Sequence, residues 1–79
     1  MTPDESEKMR VEYDATADMA YLYLVDGIGP GEAVRQVPVG EDMIALVDLD
    51  AQGRLLGVEV FDARARLHPE VLARAERID

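Results

Sequence analysis

The chain has 79 residues, with 17 acidic against 8 basic side chains, a net charge of −9, no cysteine and one histidine. A single domain is the most that this length supports, and a core so small is worth only about 3–5 kcal/mol net unless something reinforces it. The missing cysteine excludes disulfides and thiolate metal sites, and the lone His68 excludes a multi-histidine cage within one chain. Self-association is the reinforcement that remains.

The charge is unevenly placed: residues 1–62 hold 14 acids and 4 bases, and residues 63–79 hold 3 acids and 4 bases. An anionic body repels phosphate backbones, so no nucleic acid is expected as a ligand. The same charge attracts basic partners and speeds their encounter, although its plainest use is to keep a small protein soluble. The first residues, MTPDESEKMR, lack the basic start and apolar run of a signal peptide, and no apolar run approaches the ~20 residues that span a bilayer. The reading is a cytoplasmic protein with no membrane partner, a leader at 1–8 and a single domain at 9–79.

MRVEY (9–13) alternates apolar Met9, Val11 and Tyr13 with Arg10 and Glu12, the period of a strand wet on one side, and it is expected at a sheet edge. In DATAD (14–18) the aspartates can hydrogen-bond the backbone two residues on, which predicts a turn. MAYLYLVD (19–26) is apolar at both parities, so it is expected to be a central strand covered on both faces. GIGPG (27–31) breaks the pattern and is expected to be a mobile loop. Its glycines do not make a phosphate cradle, because Pro30 removes an amide, no Lys with Ser or Thr follows, and EAVRQVPVG reads as extended. Pro38 marks that segment as an edge strand or a strand end.

DMIALVDLD (42–50) and RLLGVEVFD (54–62) flank Asp50-Ala51-Gln52-Gly53, a hairpin connection with Gly53 in the left-handed position. Pairing Asp50 with Arg54 predicts partners 49:55, 48:56, 47:57, 46:58, 45:59 and 44:60. One face then holds Ile44, Leu46, Leu56, Val58 and Val60, with Asp48 near the turn. The other holds Met43, Ala45, Val47, Leu49, Leu55, Gly57, Glu59 and Phe61, apolar enough to need its own cover.

The same stretch nearly matches the calcium loop pattern D-x-[DN]-x-[DN]-G-x5-E through Asp48, Asp50, Gln52, Gly53 and Glu59. A calcium loop has helical flanks, whereas MIALV and LLGVEV are β-type. In a hairpin, Glu59 lies five pairs from the turn, roughly 15–17 Å along the strand. The turn is therefore the expected structure, and no metal site is assigned.

LHPEVLARAERID (67–79) predicts one C-terminal helix. Pro69 suits its first turn, Glu70 and Arg77 suit its two ends, and Val71, Leu72, Ala75 and Ile78 form its apolar stripe. One short helix cannot cover both sides of a sheet. The expected fold is α+β, an antiparallel β-meander of four to five strands with one C-terminal α-helix, paired as a homodimer.

YDATADMAYLYL and IALVDLDAQGRLLGVEVFDA together resemble the small prokaryotic proteins of domain-of-unknown-function family 2283. Tyr13, Asp14, Asp18, Tyr21, Asp48, Asp50, Gly53, Gly57 and Glu59 fall in that family's order, over residues 9–65. Phe61-Asp62-Ala63 departs from the more typical Leu-Asp-Ala-Ser run. The family has no assigned activity, so the resemblance implies a fold and no chemistry.

Read from the residues, Asp14 and Asp18 close the first turn, Tyr21 places a ring on a half-buried face, and Gly57 admits a close approach. Glu59 is a mid-strand carboxylate that asks for a partner, with Arg10, Arg35 or Arg64 as candidates. No nucleophile constellation is present: the only serine is Ser6, and His68 lacks triad partners. The expectation is therefore a non-catalytic, homo-oligomeric protein-protein interaction module without a cofactor, binding through Tyr21, Tyr23, Glu59 and Phe61, with a basic protein as its further partner. The competing expectation is a divalent-metal-dependent enzyme or metal-binding protein using Asp18, Asp48 and Glu59. The predicted register opposes it by placing Asp48 and Glu59 on opposite faces.

Overall fold

The computed structural model describes residues 9–79, so the expected leader at 1–8 lies outside the described residues. Five main strands form the sheet: β1 (Arg10–Asp14), β2 (Met19–Tyr23), β3 (Arg35–Val39), β4 (Ala45–Leu49) and β5 (Leu55–Phe61). They are followed by α1 (Ala63–Arg66), α2 (Pro69–Arg74) and the two-residue strand β6 (Glu76–Arg77). The spatial order is β3-β4-β5-β2-β1-β6. All pairs are antiparallel except β1 with β6, so the α+β expectation holds while the sheet is mixed and not a simple meander.

The expected single helix is two short ones. Asp62, in the left-handed conformation with φ 51°, turns the chain from β5 straight into α1. His68 caps α2 by accepting the Glu70 amide on Nδ1 at 3.1 Å, with Pro69 following as expected. The helix then stops: Ala75 is extended (φ −70°, ψ 144°), and the chain returns along β1, where the Ile78 amide donates to the Tyr13 carbonyl at 3.1 Å. A helix of this length gains little from propagation, whereas the outer edge of β1 offers unpaired backbone groups, so tertiary pairing decides the outcome. β1 is thus one strand in from the edge and not at it as expected, because the returning tail covers its outer side. β3 is an edge strand, as Pro38 predicts.

The hairpin turn forms as expected, with the Gly53 amide donating to the Asp50 carbonyl at 2.9 Å and Gly53 at φ 77°. The expected register does not survive past it. Leu49 pairs with Leu55, but Asp48 pairs with Gly57, Val47 with Val58, Leu46 with Glu59 and Ala45 with Val60, because a bulge at Leu56 shifts every later partner by one. β4 is apolar at both parities, so its pattern alone cannot choose between the two registers. The observed one puts small Ala45 into the core and brings Asp48 beside Gly57.

Two rows cross the sheet on one face: Val11, Leu22, Val58, Val47 and Val37, and then Tyr13, Ala20, Val60, Ala45 and Val39. The helices lie here, α1 on β5 and α2 on β1, and the core consists of Tyr13, Ala20, Ala45, Val60 and Ala63 with Leu22, Val58, Leu67 and Leu72 around it. The opposite face carries Arg10, Tyr23, Gly57, Asp48 and Gln36 in one row and Glu12, Tyr21, Glu59, Leu46 and Pro38 in the next. Neither helix packs on it, so β2 is central but covered by helix on one side only, and not on both as expected. Among the described residues no helix is long and apolar enough to cross a membrane.

Candidate functional site

The open face is organised by Tyr21 and Gly57. Tyr21 stands on β2, and its ring lies flat across β5 to reach Asp48 on β4, donating its hydroxyl to Oδ2 at 2.6 Å. Gly57 is the strand residue under that ring. A Cβ there would sit 2.6 Å from the Tyr21 hydroxyl and 2.7 Å from the Leu22 carbonyl oxygen, so only glycine fits without displacement. Burial and the bond to Asp48, with the charge of Glu59 nearby, push the Tyr21 phenol well above its ordinary pKa. Asp48 is 7% exposed, and its second oxygen, Oδ1, has no hydrogen-bond partner among the described residues.

Tyr23 meets Tyr21 edge to face, with ring centroids 4.7 Å apart and an interplanar angle of 72°. The Arg10 guanidinium lies 4.0 Å over the Tyr23 ring and 3.8 Å from Glu12. Desolvation and Glu12 raise the Tyr23 phenol, with Arg10 opposing. Glu59 stands between Tyr21 and Leu46 in the cross-strand row. None of its expected arginine partners reaches it: Arg10 goes to Glu12, Arg64 to Asp18, and Arg35 makes no ion pair among the described residues.

Tyr21, Tyr23, Glu59 and Phe61 therefore share one face, as do Asp48 and Glu59, which the bulge moves together against the expected register. Asp18 stays apart. Its carbonyl accepts the Ala63 amide and its Oδ1 the Arg64 amide, both at 3.0 Å, so it closes the start of α1 in place of the uncapping Asp62 side chain. The Tyr13 hydroxyl donates to the same oxygen at 3.0 Å, and the Arg64 amide is the main cause of the depressed Asp18 pKa. Asp14 accepts the Thr16 and Ala17 amides, and Asp50 accepts the Gln52 and Arg54 amides together with Arg54 Nε. The expected turn roles of Asp14 and Asp50 are thus borne out, whereas Asp18, expected to help close the first turn, spends its carboxylate on α1 and Tyr13 instead, and the calcium-like spacing is the chemistry of a turn. Among the described residues no group of three His, Cys, Asp or Glu is arranged to hold a metal ion.

A cleft of about 200 Å³ opens on this face, lined by Glu12, Asp14, Met19, Ala20, Tyr21, Glu59 and Ile78. A second groove of about 350 Å³, with mixed charge, runs along Met9, Arg10, Val11, Val71, Arg74 and Glu76. Sequence reasoning missed the Tyr21–Asp48 contact, Glu12 and Ile78. The contact depends on the bulge, and Ile78 on the tail's return. Glu12 was legible only as a wet position on an alternating strand.

The positions that build this arrangement match a family model across residues 10–64, whose description is "Protein of unknown function (DUF2283)". The chain belongs to the DUF2283 family. The match spans β1 to α1, so it includes the Tyr21–Gly57–Asp48 contact and the Asp18 clamp, and stops short of α2 and β6. A search of curated proteins found no match, and a search of solved structures found none either.

Proposed function

We propose that this DUF2283 chain is a non-catalytic protein-interaction module that self-associates as a homodimer through the β3–β4 end of its helix-bearing face and meets other partners through the open face, in a reducing, cytoplasmic setting. The observation that carries this reading is the mismatch between sheet and helices. Val37, Val39 and Val47 continue the apolar rows of the core face but lie outside the helix-covered cluster, and Val39 is 37% exposed. Burying such a patch stabilises at about 25 cal/mol per Å², and a core built largely of alanine and valine has much to gain from it. Pro38 lacks a ladder donor on the outer strand, so face packing is favoured over a continuous twelve-stranded arrangement formed edge to edge.

Support for a non-catalytic role comes from how the polar groups are used. Tyr13, Asp18 and Arg64 satisfy one another, Tyr21 engages Asp48, and Asp14 and Asp50 hold turns. The metal-dependent alternative loses one of its residues, because Asp18 is committed to α1 away from Asp48 and Glu59. Sedimentation of the full chain and of Val39→Glu tests the association: the wild type is expected to sediment as a dimer and the variant as a folded monomer. A wild-type monomer at every dilution overturns it.

A further inference from the structure

The outer edge of β1 is filled by a segment that fits it poorly. β6 covers two of the five positions of β1, and both of its residues are exposed. Its register sets Glu76 directly opposite Glu12, and like charges in that relation oppose pairing. Arg10, 3.8 Å from Glu12, offsets part of this repulsion but is also held over the Tyr23 ring. Past the ladder, the Ile78 amide donates to the Tyr13 carbonyl at 3.1 Å, yet Ile78 remains 55% exposed. Asp79 turns its carboxylate mainly to Arg77 of the same segment, at 2.9 Å, and takes the Thr16 hydroxyl only at 3.4 Å.

A second observation, independent of charge, is the space beside the uncovered half of the strand. The groove of about 350 Å³ lies along Met9, Arg10 and Val11, walled by Val71 and Arg74 of α2 and closed by Glu76. β6 runs parallel to β1, so a strand continued backward from Glu76 would lie along this groove. The chain does not do so itself, because Ala75 leads directly out of α2. A sheet edge bordered by a helix is where an extended segment adds as a further strand, its main chain giving affinity and its alternate side chains specificity. We propose that Glu76–Asp79 is a displaceable strap, and that the edge of β1 it covers takes up an extended segment of a basic partner protein with Lys or Arg opposite Glu12.

Sheet geometry sets the chemistry of that segment. Side chains in register with Val11 and Tyr13 point to the helix-bearing face, so apolar residues belong there, the first of them in the groove against Val11 and Val71. Those in register with Glu12 and Asp14 point to the open face, where a cation replaces the repulsion from Glu76 with an attraction. Such a strand pairs along Val11–Asp14, whereas β6 holds only Glu12 and Tyr13. The charge of the whole chain, −9, steers a basic partner toward the edge. This inference rests on the reading of the domain as an interaction module, though not on its self-association.

The test uses the isotope-labelled full chain at low salt, titrated with acetyl-Val-Lys-Val-Lys amide and followed by two-dimensional NMR and amide hydrogen exchange, with the protein's mass measured in the same samples. Shifts are expected to concentrate at Val11, Glu12 and Tyr13 and in the strap, where the Ile78 amide should exchange faster with solvent as peptide is added. Acetyl-Pro-Lys-Pro-Lys amide carries the same charge without two of the main-chain donors, and is expected to bind at least about threefold more weakly. Glu76→Lys sets a cation opposite Glu12 within the chain, so it is expected to slow Ile78 exchange in the free protein and to weaken peptide binding about threefold or more. Glu41→Lys, the same change of charge on an exposed turn, is expected to leave Ile78 exchange unaltered. Equal binding of the two peptides, shifts spread evenly over the acidic surface, an unresponsive Ile78 amide, or equal effects of the two substitutions would each overturn the proposal. Dissociation of a dimer by the peptide would assign this edge to a second copy and overturn it as well. A monomeric mass with localised shifts would sink the dimer alone.

Discussion

Gly57→Ala adds one carbon at the point where β5 passes beneath Tyr21. The new Cβ would lie 2.6 Å from the Tyr21 hydroxyl, 2.8 Å from its Cε2 and 2.7 Å from the Leu22 carbonyl oxygen. The tyrosine can swing away, but the Leu22 oxygen is backbone in the paired strand and cannot move without distorting the β2–β5 ladder. If the ring stays, overpacking costs about 1–3 kcal/mol. If it leaves, the buried Asp48 carboxylate loses the one donor it has, at about 1.5–3 kcal/mol for a hydrogen bond to a charged group. Either route, together with the unavoidable backbone contact, gives a loss of about 2–4 kcal/mol, which in a domain of this size lowers Tm on the order of 10–30 °C. The assay is urea unfolding followed by tyrosine fluorescence, with Tyr21→Phe and the double variant completing a cycle. Because part of the cost is eviction of the hydroxyl from Asp48, the two substitutions should be non-additive by roughly 1 kcal/mol. Gly57→Ala within about 0.5 kcal/mol of wild type, the range of an ordinary surface change, would refute the reasoning.

The phenols supply a test at high pH. Tyr21, Tyr13 and Tyr23 all have raised folded values, chiefly through burial, so their stabilising contribution is complete below the ordinary value of about 10 and is lost as pH rises through the raised ones. Ultraviolet titration should show delayed tyrosine ionisation that coincides with alkaline unfolding, and an ordinary midpoint in the folded chain would contradict the Tyr21–Asp48 contact. At low pH the sign reverses. Asp18 and Asp50, depressed mainly by backbone amides, and Asp79, held down by Arg77, stabilise above the ordinary carboxylate value of about 3.9, and this is lost as pH falls through their lower folded values. Asp18→Asn should therefore flatten the acid limb of a stability profile measured by circular dichroism, and an unchanged limb would remove the clamp on α1. Magnesium or calcium should leave Tm unchanged, whereas a divalent ligand at 100 times its dissociation constant would add about 2.7 kcal/mol and revive the metal-dependent alternative.

Local chemistry was legible wherever a residue acts on its own neighbourhood. Gly53 and Asp50 determine the hairpin turn, Pro38 the edge, Pro69 the start of α2, and Asp14 the first turn, because each effect reaches only a few residues along the chain. The alternation of β1 located a strand and the faces of its side chains, and the double parity of β2 located a second strand without telling which of its faces the helices cover. The open face was legible only in part: Tyr21, Tyr23, Glu59 and Phe61 could be named together, but not the contacts among them.

Tertiary structure alone decided the register of β4 on β5, the return of the tail as β6 and the partner of Asp48. A strand apolar at both parities carries equal local evidence for two pairings, and the choice fell to what each would bury: small Ala45 in the core cluster, and Asp48 within reach of a phenol lying over glycine. The amino-acid order determined which segments extend and where they bend, since those are short-range effects. Which side chains meet across the sheet depended on competition between long-range packings that no single segment contains.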